Sequence, residues 1–457
     1  MQRALTSSPT LWHSHGYGLS LVLLIGVLTL LSTLRVQAQP RALPDSLTLE
    51  TATSLMMANN PGLRAAQADA DYTTRNARDA ALWPNPSVQA GQTSIPLPTG
   101  GTERETELGL TQTLPYPGSK RAQRRAATHT SEAARFSYQE AQAQAFHELR
   151  TRYLNVVAAE ARVQALQQLT DAVTEAANAA DVRYEEGDFS PFGRARMRVA
   201  VSDFENALAD ATVSRRNARL RLAAHILPDS TMQAAAPETL TTYTVAGTLQ
   251  APSFDAEYDA LRTQALAQRG LLNAAEARVD AEQQQLRATR LGRIPNINLS
   301  LGSVLRDQPG GAAWGYQAGI SIDLPTWDSG RTRVRTQEAQ QQRAQAQHAD
   351  AKRAVEVELR SAYTEAQSYR TRIDRLSGEV LASTDSLLQQ AQYVYEEGEL
   401  NLVGLLDAME AARSARLLQI DLVAGYLRRL SALEYAMGVR PTDTPPLLPA
   451  DRLAPAD

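Results

Sequence analysis

The stretches RYEEGDFSPF (residues 183–192) and VYEEGELNLV (residues 394–403) decide the fold, because one chain writes the same turn twice. Each stretch follows a long helix-like segment, and each places a capping residue, Ser190 or Asn401, three positions after its glycine. Matched landmarks precede the turns in the same order: LWPNPSVQAG and LGLTQTLPYPGSKRAQRRA in the first half, GRIPNINLSLG and AGISIDLPTWDSGRTRVRT in the second. Repeated landmarks at a nearly constant offset predict a tandem duplication.

The composition favours long helices over compact globules. Of 457 residues only 5% are aromatic, while Ala, Gln, Arg and Glu fill long stretches. The net charge of -4 and the pI near 6.0 provide no basic face for nucleic acid, so that class of partner is excluded. The chain has no cysteine, which excludes disulfides, thiolate metal sites and a lipid-attachment cysteine.

The N-terminus predicts a cleaved signal peptide over residues 1–38. Arg3 precedes an apolar run at residues 19–34, and Val36 and Ala38 occupy the positions that signal peptidase reads. An uncleaved membrane anchor is the alternative. A run of about 16 residues is short for that role, since a membrane-spanning helix needs roughly 20.

The lengths of the predicted helices indicate an elongated molecule. The segment from Lys120 to Glu186 would span about 100 Å as one continuous helix, which is wider than a compact globule. Single helix-like segments are predicted at residues 47–82 and 254–291, and further helices follow the two turns. In each half the two shorter helices would together match the long one. One long helix can therefore lie beside two shorter helices stacked end to end.

The long helix carries a coiled-coil seam. Apolar residues recur at seven-residue multiples, with a second set interleaved three positions later. The two sets are Leu149, Val156, Val163, Ala177 and Tyr184, and Ala159, Leu166, Val173 and Ala180. A solitary coiled-coil rod would explain this seam equally well, but it would leave the strands unexplained.

Alternating segments predict two strand pairs. Residues 296–301 and 314–324 alternate strictly between polar and apolar side chains, with a turn signal at residues 307–311 between them. The first pair, near residues 85–114, alternates more weakly. Strands of about 9–11 residues with one apolar side match a transmembrane β-barrel. Exposed aromatic residues at the strand ends are expected at the membrane interfaces; these are Trp83, Tyr116, Trp314 and Trp327.

Four strands are too few for a channel. Even eight strands fill their interior with side chains, and open sheet edges are not tolerated in lipid. The chain must therefore pool its strands with other copies of itself, although this argument leaves the number of copies open.

No catalytic constellation is found. His147 and Glu148 resemble the start of a zinc-protease helix, but Thr151 stands where the second histidine is needed. Gly118, Ser119 and Lys120 lack the earlier glycine of a phosphate-binding loop. We expect no enzymatic activity, no metal site and no cofactor.

The glutamates of the repeated turn are unusual. Glu185, Glu186, Glu396 and Glu397 lie at helix C-termini, where the helix dipole disfavours anions by about 0.3–1 kcal/mol. They are either harmless at a wet tip and duplicated with the hairpin, or they form a ring of carboxylates at a pore mouth. Both interpretations remain open at this point.

Taken together, these residues resemble the TolC-like outer-membrane efflux channels over essentially the whole mature chain. The resemblance rests on the repeat, on Leu-Pro after each second strand (Leu114-Pro115 and Leu324-Pro325), on Tyr-x-x-Gly at each tip and on residues 405–408. It implies a homotrimer whose twelve strands form an outer-membrane β-barrel, continued by a coiled-coil α-helical barrel into the periplasm. The fold class would be mainly α with a small β part.

The resemblance also implies partners and site residues. A periplasmic adaptor protein would meet the tips, and an inner-membrane pump of the RND type would supply the energy. The tip residues, which would form the gate and contact the adaptor, are Tyr184, Glu185, Glu186, Gly187, Tyr395, Glu396, Glu397 and Gly398. Residues 117–121 look like the start of the long helix in the heavy-metal, CzcC-like branch. Many relatives have an acidic residue where this chain has Gly193 and Gly404, so the resemblance does not extend to a gate locked by ion pairs at these positions.

The predicted organisation is a signal peptide (1–38), a first repeat (39–226, tip 184–190), an equatorial linker (227–253), a second repeat (254–439, strand pair near 295–325, tip 395–401) and a C-terminal tail (440–457). The expected function is a passive export duct for metal ions or drugs. The alternative is a periplasmic coiled-coil structural protein without a pore.

Overall fold

The computed structural model describes residues 44, 46–98, 101–254, 256–308, 311–376, 386, 389–395, 397 and 399–442. The predicted signal peptide, most of the C-terminal tail, and Glu396 and Gly398 of the second tip lie outside these residues. The chain divides into two units, Met1–Pro44 and Asp45–Asp457. Every helix and strand considered below belongs to the second unit.

The prediction of a mainly helical fold with a small β part is confirmed. The α-helices are α1 Leu49–Asn59, α2 Pro61–Asp79, α3 Pro117–Glu185, α4 Pro191–Ile226, α5 Asp229–Ala234, α6 Tyr258–Gln268, α7 Gly270–Leu291, α8 Arg331–Leu376 and α9 Leu402–Ala436. Residues 389–395 are also helical. The strands are β1 Ser46–Leu47, β2 Ser87–Pro96, β3 Thr102–Leu114, β4 Thr244–Val245, β5 Ile297–Gln308 and β6 Gly311–Ile322. Across the described residues, every helix is too polar or too short for a span through a bilayer.

The helix α3 is the longest element and organises the others. It has 69 residues, or about 100 Å of helix, and it begins with Pro117, whose missing N–H is not needed at a first helical position. Its first part packs against α2 and α7, and its second part packs against α4 and α9. Five of the predicted seam residues are buried in these contacts: Leu149, Val156, Leu166, Val173 and Ala180.

The shorter helices differ from the prediction, because each of the segments 47–82 and 254–291 is broken into two helices. The breaks lie at Asn60 and Arg269, which have nearly identical backbone angles of φ -64°, ψ 118° and φ -64°, ψ 117°. Pro61 follows the first break, and the Asn60 side chain caps α2 by accepting a hydrogen bond from the backbone N–H of Leu63 at 3.2 Å. Both breaks were missed because the apolar periodicity continues through them.

Gly270 follows the second break, where the chain passes very close to α3. A Cβ atom at this position would lie 2.8 Å from the carbonyl oxygen of Phe136 and 2.9 Å from the amide nitrogen of Glu140. Backbone atoms cannot move aside as a flexible side chain could. The second break therefore requires glycine for its close approach to α3.

The linker contains more regular structure than expected. Besides α5 it has a short 3-10 helix at Thr239–Thr241, and β4 pairs in parallel with β1. Tyr153 of α3 fixes this pair, because the carbonyl oxygens of Leu47 and Ala246 share its single hydroxyl hydrogen. The linker thus lies against α3 as a strap.

The larger sheet has four antiparallel strands in the order β2-β3-β5-β6. The residue ranges of β5 and β6 include most of the two strictly alternating segments, 296–301 and 314–324. In this order the first strand pair of the chain joins the second through β3 and β5. The two halves of the chain therefore share one sheet.

The close approach at Gly270 gives the first prediction. Gly270→Ala should destabilise the protein by about 1–3 kcal/mol, because the new methyl group would overlap the α3 backbone. Thermal unfolding of the purified protein measures this loss. Gly91→Ala is the control, since a Cβ there would meet nothing within 4 Å. Equal unfolding temperatures for the two variants would contradict the packing argument.

Candidate functional site

The four-stranded sheet has one apolar face and one polar face. Val88, Leu110, Leu301 and Ala318 lie side by side in one cross-strand row, and the neighbouring row is Ser87, Thr111, Ser300 and Gly319. Rows alternate in this way along the strands, since successive side chains point to opposite faces. The large exposed side chains of the apolar face are Val88, Leu108, Leu110, Ile297, Leu299, Leu301, Trp314, Tyr316, Ile320 and Ile322.

The polar face carries a line of carboxylates. Glu103, Glu105 and Glu107 occupy alternate positions of β3. Arg306 of β5 lies between two of them, with its Nε 3.0 Å from Glu103 and its terminal nitrogen 3.4 Å from Glu105. Among the described residues Glu107 has no ion-pair partner. The polar face is therefore net acidic at the end of the sheet that lies away from the helices.

The four predicted interfacial aromatic residues are all exposed. Tyr116 and Trp327 lie between the strands and the helices α3 and α8 that follow them, and Trp83 precedes β2. Trp314 lies near the opposite end of β6, paired with Leu305. Trp327 is 99% exposed, so no described residue covers its indole ring.

Backbone hydrogen bonds form the turn at the first tip. The amide of Gly187 donates to the carbonyl of Tyr184 at 3.1 Å, and the amide of Asp188 donates to the carbonyl of Arg183 at 2.8 Å. This pattern needs a left-handed residue, and Gly187 supplies it with φ 88°. Glu185 and Glu186 are exposed on this tip.

Arginine contacts hold the side chains of the first tip. Arg194 of α4 lies 4.6 Å above the ring of Tyr184, and its Nε donates to Asp181 of α3 at 2.6 Å. This hydrogen bond holds the pKa of Asp181 below its usual range. The half-buried Tyr184 is thus fixed against an ion pair that joins the two helices of the hairpin.

Tyr395 of the second tip has a different environment. It is 6% exposed and packs in an apolar cluster with Leu169, Val173 and Leu405. Burial raises the pKa of its phenol, although Arg183, 5.8 Å from the ring centroid, partly offsets the shift. Its hydroxyl has no hydrogen-bond partner among the described residues. The two tip tyrosines, predicted as equivalent, are therefore packed differently.

The second tip repeats the caps of the first. The amide of Glu399 donates to the carbonyl of Val394 at 3.0 Å, which matches the bond from Asp188 to Arg183. The side chains of Ser190 and Asn401 accept from the amides of Gly193 and Gly404 at 3.0 and 2.9 Å. Glu397 is exposed; Glu396 and Gly398 lie outside the described residues.

Gly193 and Gly404 each lie beneath a large apolar side chain. A Cβ at Gly193 would lie 2.8 Å from the ring of Phe189, and a Cβ at Gly404 would lie 2.6 Å from the side chain of Leu400. Phe189 and Leu400 precede the caps of their helices by one residue. They fold over the first helical turn, and glycine leaves them the space.

A groove of about 390 Å³ lies beside the second tip. Its walls are formed by the helical stretch 389–395 and by the first turns of α9. Val394, Leu400 and Ala408 line it together with Asp407. The groove is mainly apolar, open to solvent, and contained within one chain.

Two of the histidines, His147 and His225, take part in packing. His147 stacks on Tyr435 with ring centroids 5.3 Å apart and has Ser431 Oγ 2.9 Å from its Nδ1, and burial lowers its pKa. His225 also has a pKa lowered by burial. Among the described residues no group of three His, Cys, Asp or Glu side chains could hold a metal ion.

Buried charges near the helix breaks were missed in the sequence. Arg269 is 1% exposed; it contacts Glu358 at 2.9 Å and Glu140 at 3.2 Å, and its guanidinium lies 3.8 Å from the ring centroid of Tyr435. Arg150 and Glu434 form a second buried ion pair. The sequence does hold a signal for the second helix break: when the two halves of the chain are aligned, Arg269-Gly270 lies opposite Asn60-Pro61.

Comparisons with known proteins agree with one another. The outer membrane efflux protein family matches residues 52–226 and 261–439. The cobalt-zinc-cadmium resistance protein CzcC of Cupriavidus metallidurans is 25% identical over 407 residues, which are 89% of this chain and 93% of that protein.

Two solved outer-membrane channels have the same fold. The CmeC channel of Campylobacter jejuni gives a TM-score of 0.71 at 16% identity, over 86% of this chain and 87% of that one. The open state of the MtrE channel of Neisseria gonorrhoeae gives a TM-score of 0.66 at 18% identity, over 86% and 89%.

The burial of Tyr395 gives the second prediction. Tyr395→Ala should lower the free energy of unfolding by about 3–5 kcal/mol, because it leaves a cavity in the apolar cluster. Tyr395→Phe should change it by less than about 1 kcal/mol, since the hydroxyl has no partner to lose. Denaturant unfolding measures both values. Tyr184→Ala, at a half-buried site, should lie between them, and a large loss in the Phe variant would show that the hydroxyl is bonded.

Proposed function

This chain belongs to the outer membrane efflux protein family and is an outer-membrane channel of an efflux system, and we propose that it is a passive duct built from three copies. The observation that carries this proposal is the four-stranded sheet, which exposes a broad apolar face and continues into a helix of about 100 Å. Such a chain can cross a membrane with its strands and extend far into the periplasm with its helices.

The sheet supports an oligomer. Within the described residues β2 and β6 pair on one side only, so each sheet offers two open edges. In lipid, unpaired backbone groups cost several kcal/mol each, and joining the edges of several copies removes them. Three copies would supply twelve strands, with the polar faces turned to a lumen and the apolar faces turned to lipid.

The alternative of a periplasmic coiled-coil rod without a pore is not favoured. A rod in water would expose the whole apolar face of the sheet, including Leu301 and Ile320. Large contiguous apolar surfaces in water mark binding or membrane surfaces. In a channel this apolar face would contact lipid, whereas in a rod it would face water.

The tips are proposed to meet a periplasmic adaptor, which links the duct to an inner-membrane pump. The exposed Glu185, Glu186 and Glu397 and the apolar groove beside the second tip support this role. An apolar groove suits a helix that presents an apolar stripe. The buried Tyr395 is better suited to hold the tip together, and the half-buried Tyr184 to line the entrance.

Divalent metal cations are the proposed solute class. The likeness to CzcC, named for resistance to cobalt, zinc and cadmium, supports this choice. The carboxylates on the polar face of the sheet and at the tips point in the same direction, because their summed field attracts cations. The duct acts by conduction and performs no chemical step on its solute.

Ion conductance in planar bilayers tests the proposed function directly. A trimer that resists dissociation until it is heated, and that opens discrete conductance steps, is the expected result. A monomeric mature chain that stays in water and gives no conductance would overturn the channel and favour the rod.

The sheet register gives the third prediction. Leu299→Arg should impair trimer assembly, because Leu299, the third residue of β5, lies on the apolar face; the cost of a buried arginine rises to about 2–4 kcal/mol at the bilayer midplane. Ser300→Arg is the matched control on the polar face and should assemble. The trimer yield on gels without heating measures both. The reverse pattern would mean that the faces are assigned the wrong way round.

The tip carboxylates give the fourth prediction. Replacing Glu185, Glu186, Glu396 and Glu397 by Gln should reduce the preference for cations in single-channel recordings and leave trimer stability intact, because the variant also removes unfavourable charges from helix ends. The preference of the unmodified channel should weaken with salt, since the Debye length is about 10 Å at 0.1 M.

A control variant removes the same number of carboxylates elsewhere. Asp69, Asp71, Glu276 and Asp280 are exposed on α2 and α7, far along the chain from both tips. Neutralising these four should leave the selectivity unchanged. Equal selectivity in all three proteins would place the tip glutamates outside the conduction path and leave adaptor contact as their role.

A further inference from the structure

Basic residues are concentrated where the helices meet the four-stranded sheet. Three segments border this junction: residues 117–131 at the start of α3, residues 283–294 at the end of α7, and residues 331–337 at the start of α8. Together they contain ten Lys and Arg residues and no Asp or Glu, whereas the whole chain has a net charge of -4. The junction is thus strongly positive in an otherwise acidic protein.

Six of these residues form what we call the junction belt. They begin the two helices that follow the strand pairs, and all six are exposed; they are Arg121, Arg124, Arg125, Arg331, Arg333 and Arg335. Arg333 is paired with Asp328 at 2.9 Å. In the part of the chain that the structure describes, the other five have no ion-pair partner. The belt is therefore available to an external anion.

Further copies of the chain cannot neutralise this charge. The loop between β6 and α8 brings Asp323 and Asp328, and Glu132, Glu282 and Glu338 flank the three segments, so five carboxylates face ten basic residues. One of these carboxylates, Glu338, is already paired with Arg290 at 2.8 Å. Each copy in a homo-oligomer carries the same excess to the same level of the assembly. A ring of identical chains multiplies the excess of positive charge, which leaves the belt open to anions from solvent or from another molecule.

The position of the belt indicates which molecule that is. Leu114, Ile297 and Ile322 form one cross-strand row at the helix end of the apolar face. The helix α3 begins three residues after Leu114, and Arg124 lies about 10 Å further along it. Tyr116 and the fully exposed Trp327 lie between this row and the belt. The spatial order of apolar surface, aromatic residues and cations matches the order of acyl chains, interface and headgroups in a bilayer.

We propose that the junction belt binds the phosphates of anionic phospholipids in the periplasmic leaflet of the outer membrane. Arginine suits this ligand, because its planar guanidinium donates two parallel hydrogen bonds to phosphate oxygens. The belt would fix the depth of the sheet in the bilayer. The inference rests on the proposed placement of the sheet in the outer membrane.

Spin-labelled lipids test the proposal on the full mature channel, reconstituted in phosphatidylcholine vesicles. Labelled phosphatidylglycerol should be immobilised by the protein about threefold or more over labelled phosphatidylcholine, since each basic residue near a charged surface contributes a several-fold preference. The preference should fall in high salt. Free glycerol phosphate at millimolar concentration should leave it unchanged; displacement by that anion would assign the belt to soluble phosphates and overturn the lipid proposal.

Two triple variants give the residue-level test. The belt variant Arg124→Gln, Arg125→Gln, Arg335→Gln should reduce the lipid preference toward one. The control variant Arg196→Gln, Arg216→Gln, Arg353→Gln removes the same charge from exposed residues elsewhere on the helices and should keep the preference. Equal preferences in the two variants, or none in the unmodified channel, would overturn the inference.

Conductance in the same preparations separates this inference from the proposed function. Conducting trimers without a lipid preference would overturn only the belt. A protein that forms neither trimers nor pores would overturn the proposed function, and the lipid inference with it.

Discussion

The rest of this structure depends on the two unpaired edges of the four-stranded sheet. In the described residues the outer strands β2 and β6 each have one neighbour, and the large side chains on one face have none. Backbone groups at an open edge find no substitute for water in lipid, and an apolar face finds no favourable place in water. Both problems are solved together when several copies join edge to edge inside a membrane. The long helices then have to continue on the side where every strand pair begins and ends.

The two halves of the chain reach the same backbone geometry by different chemistry. At the first helix break, Pro61 prevents a continuous helix and Asn60 caps the next one. At the second break, Gly270 permits close approach to α3, and the buried Arg269 is held by two carboxylates and a tyrosine ring. The two breaks have the same backbone shape, and each is stabilised by its own neighbours.

Sequence periodicity predicts what depends on local pattern and misses what depends on neighbours. The alternation at residues 296–301 and 314–324 indicates strands and their faces, because the side-chain period of two is written directly in the residues. The helix breaks at Asn60 and Arg269 leave no gap in the apolar period. Periodicity alone therefore misses both, although Asn60-Pro61 is itself a local break signal.

The tips show the same division. The repeated Tyr-Glu-Glu-Gly predicts two helix ends with a glycine cap, and the backbone bonds at Arg183 and Val394 have that form. It cannot reveal that Tyr395 is buried while Tyr184 is half-exposed, since that difference depends on which helices surround each tip.

The presence of glycine at positions 193 and 404 is also explained by contacts that the sequence does not show. Phe189 and Leu400 occupy the space where an acidic side chain would begin, so the first turns of α4 and α9 are held by apolar contact. At the first tip, a change in the angle between α3 and α4 would therefore have to break this packing and the Arg194 to Asp181 ion pair.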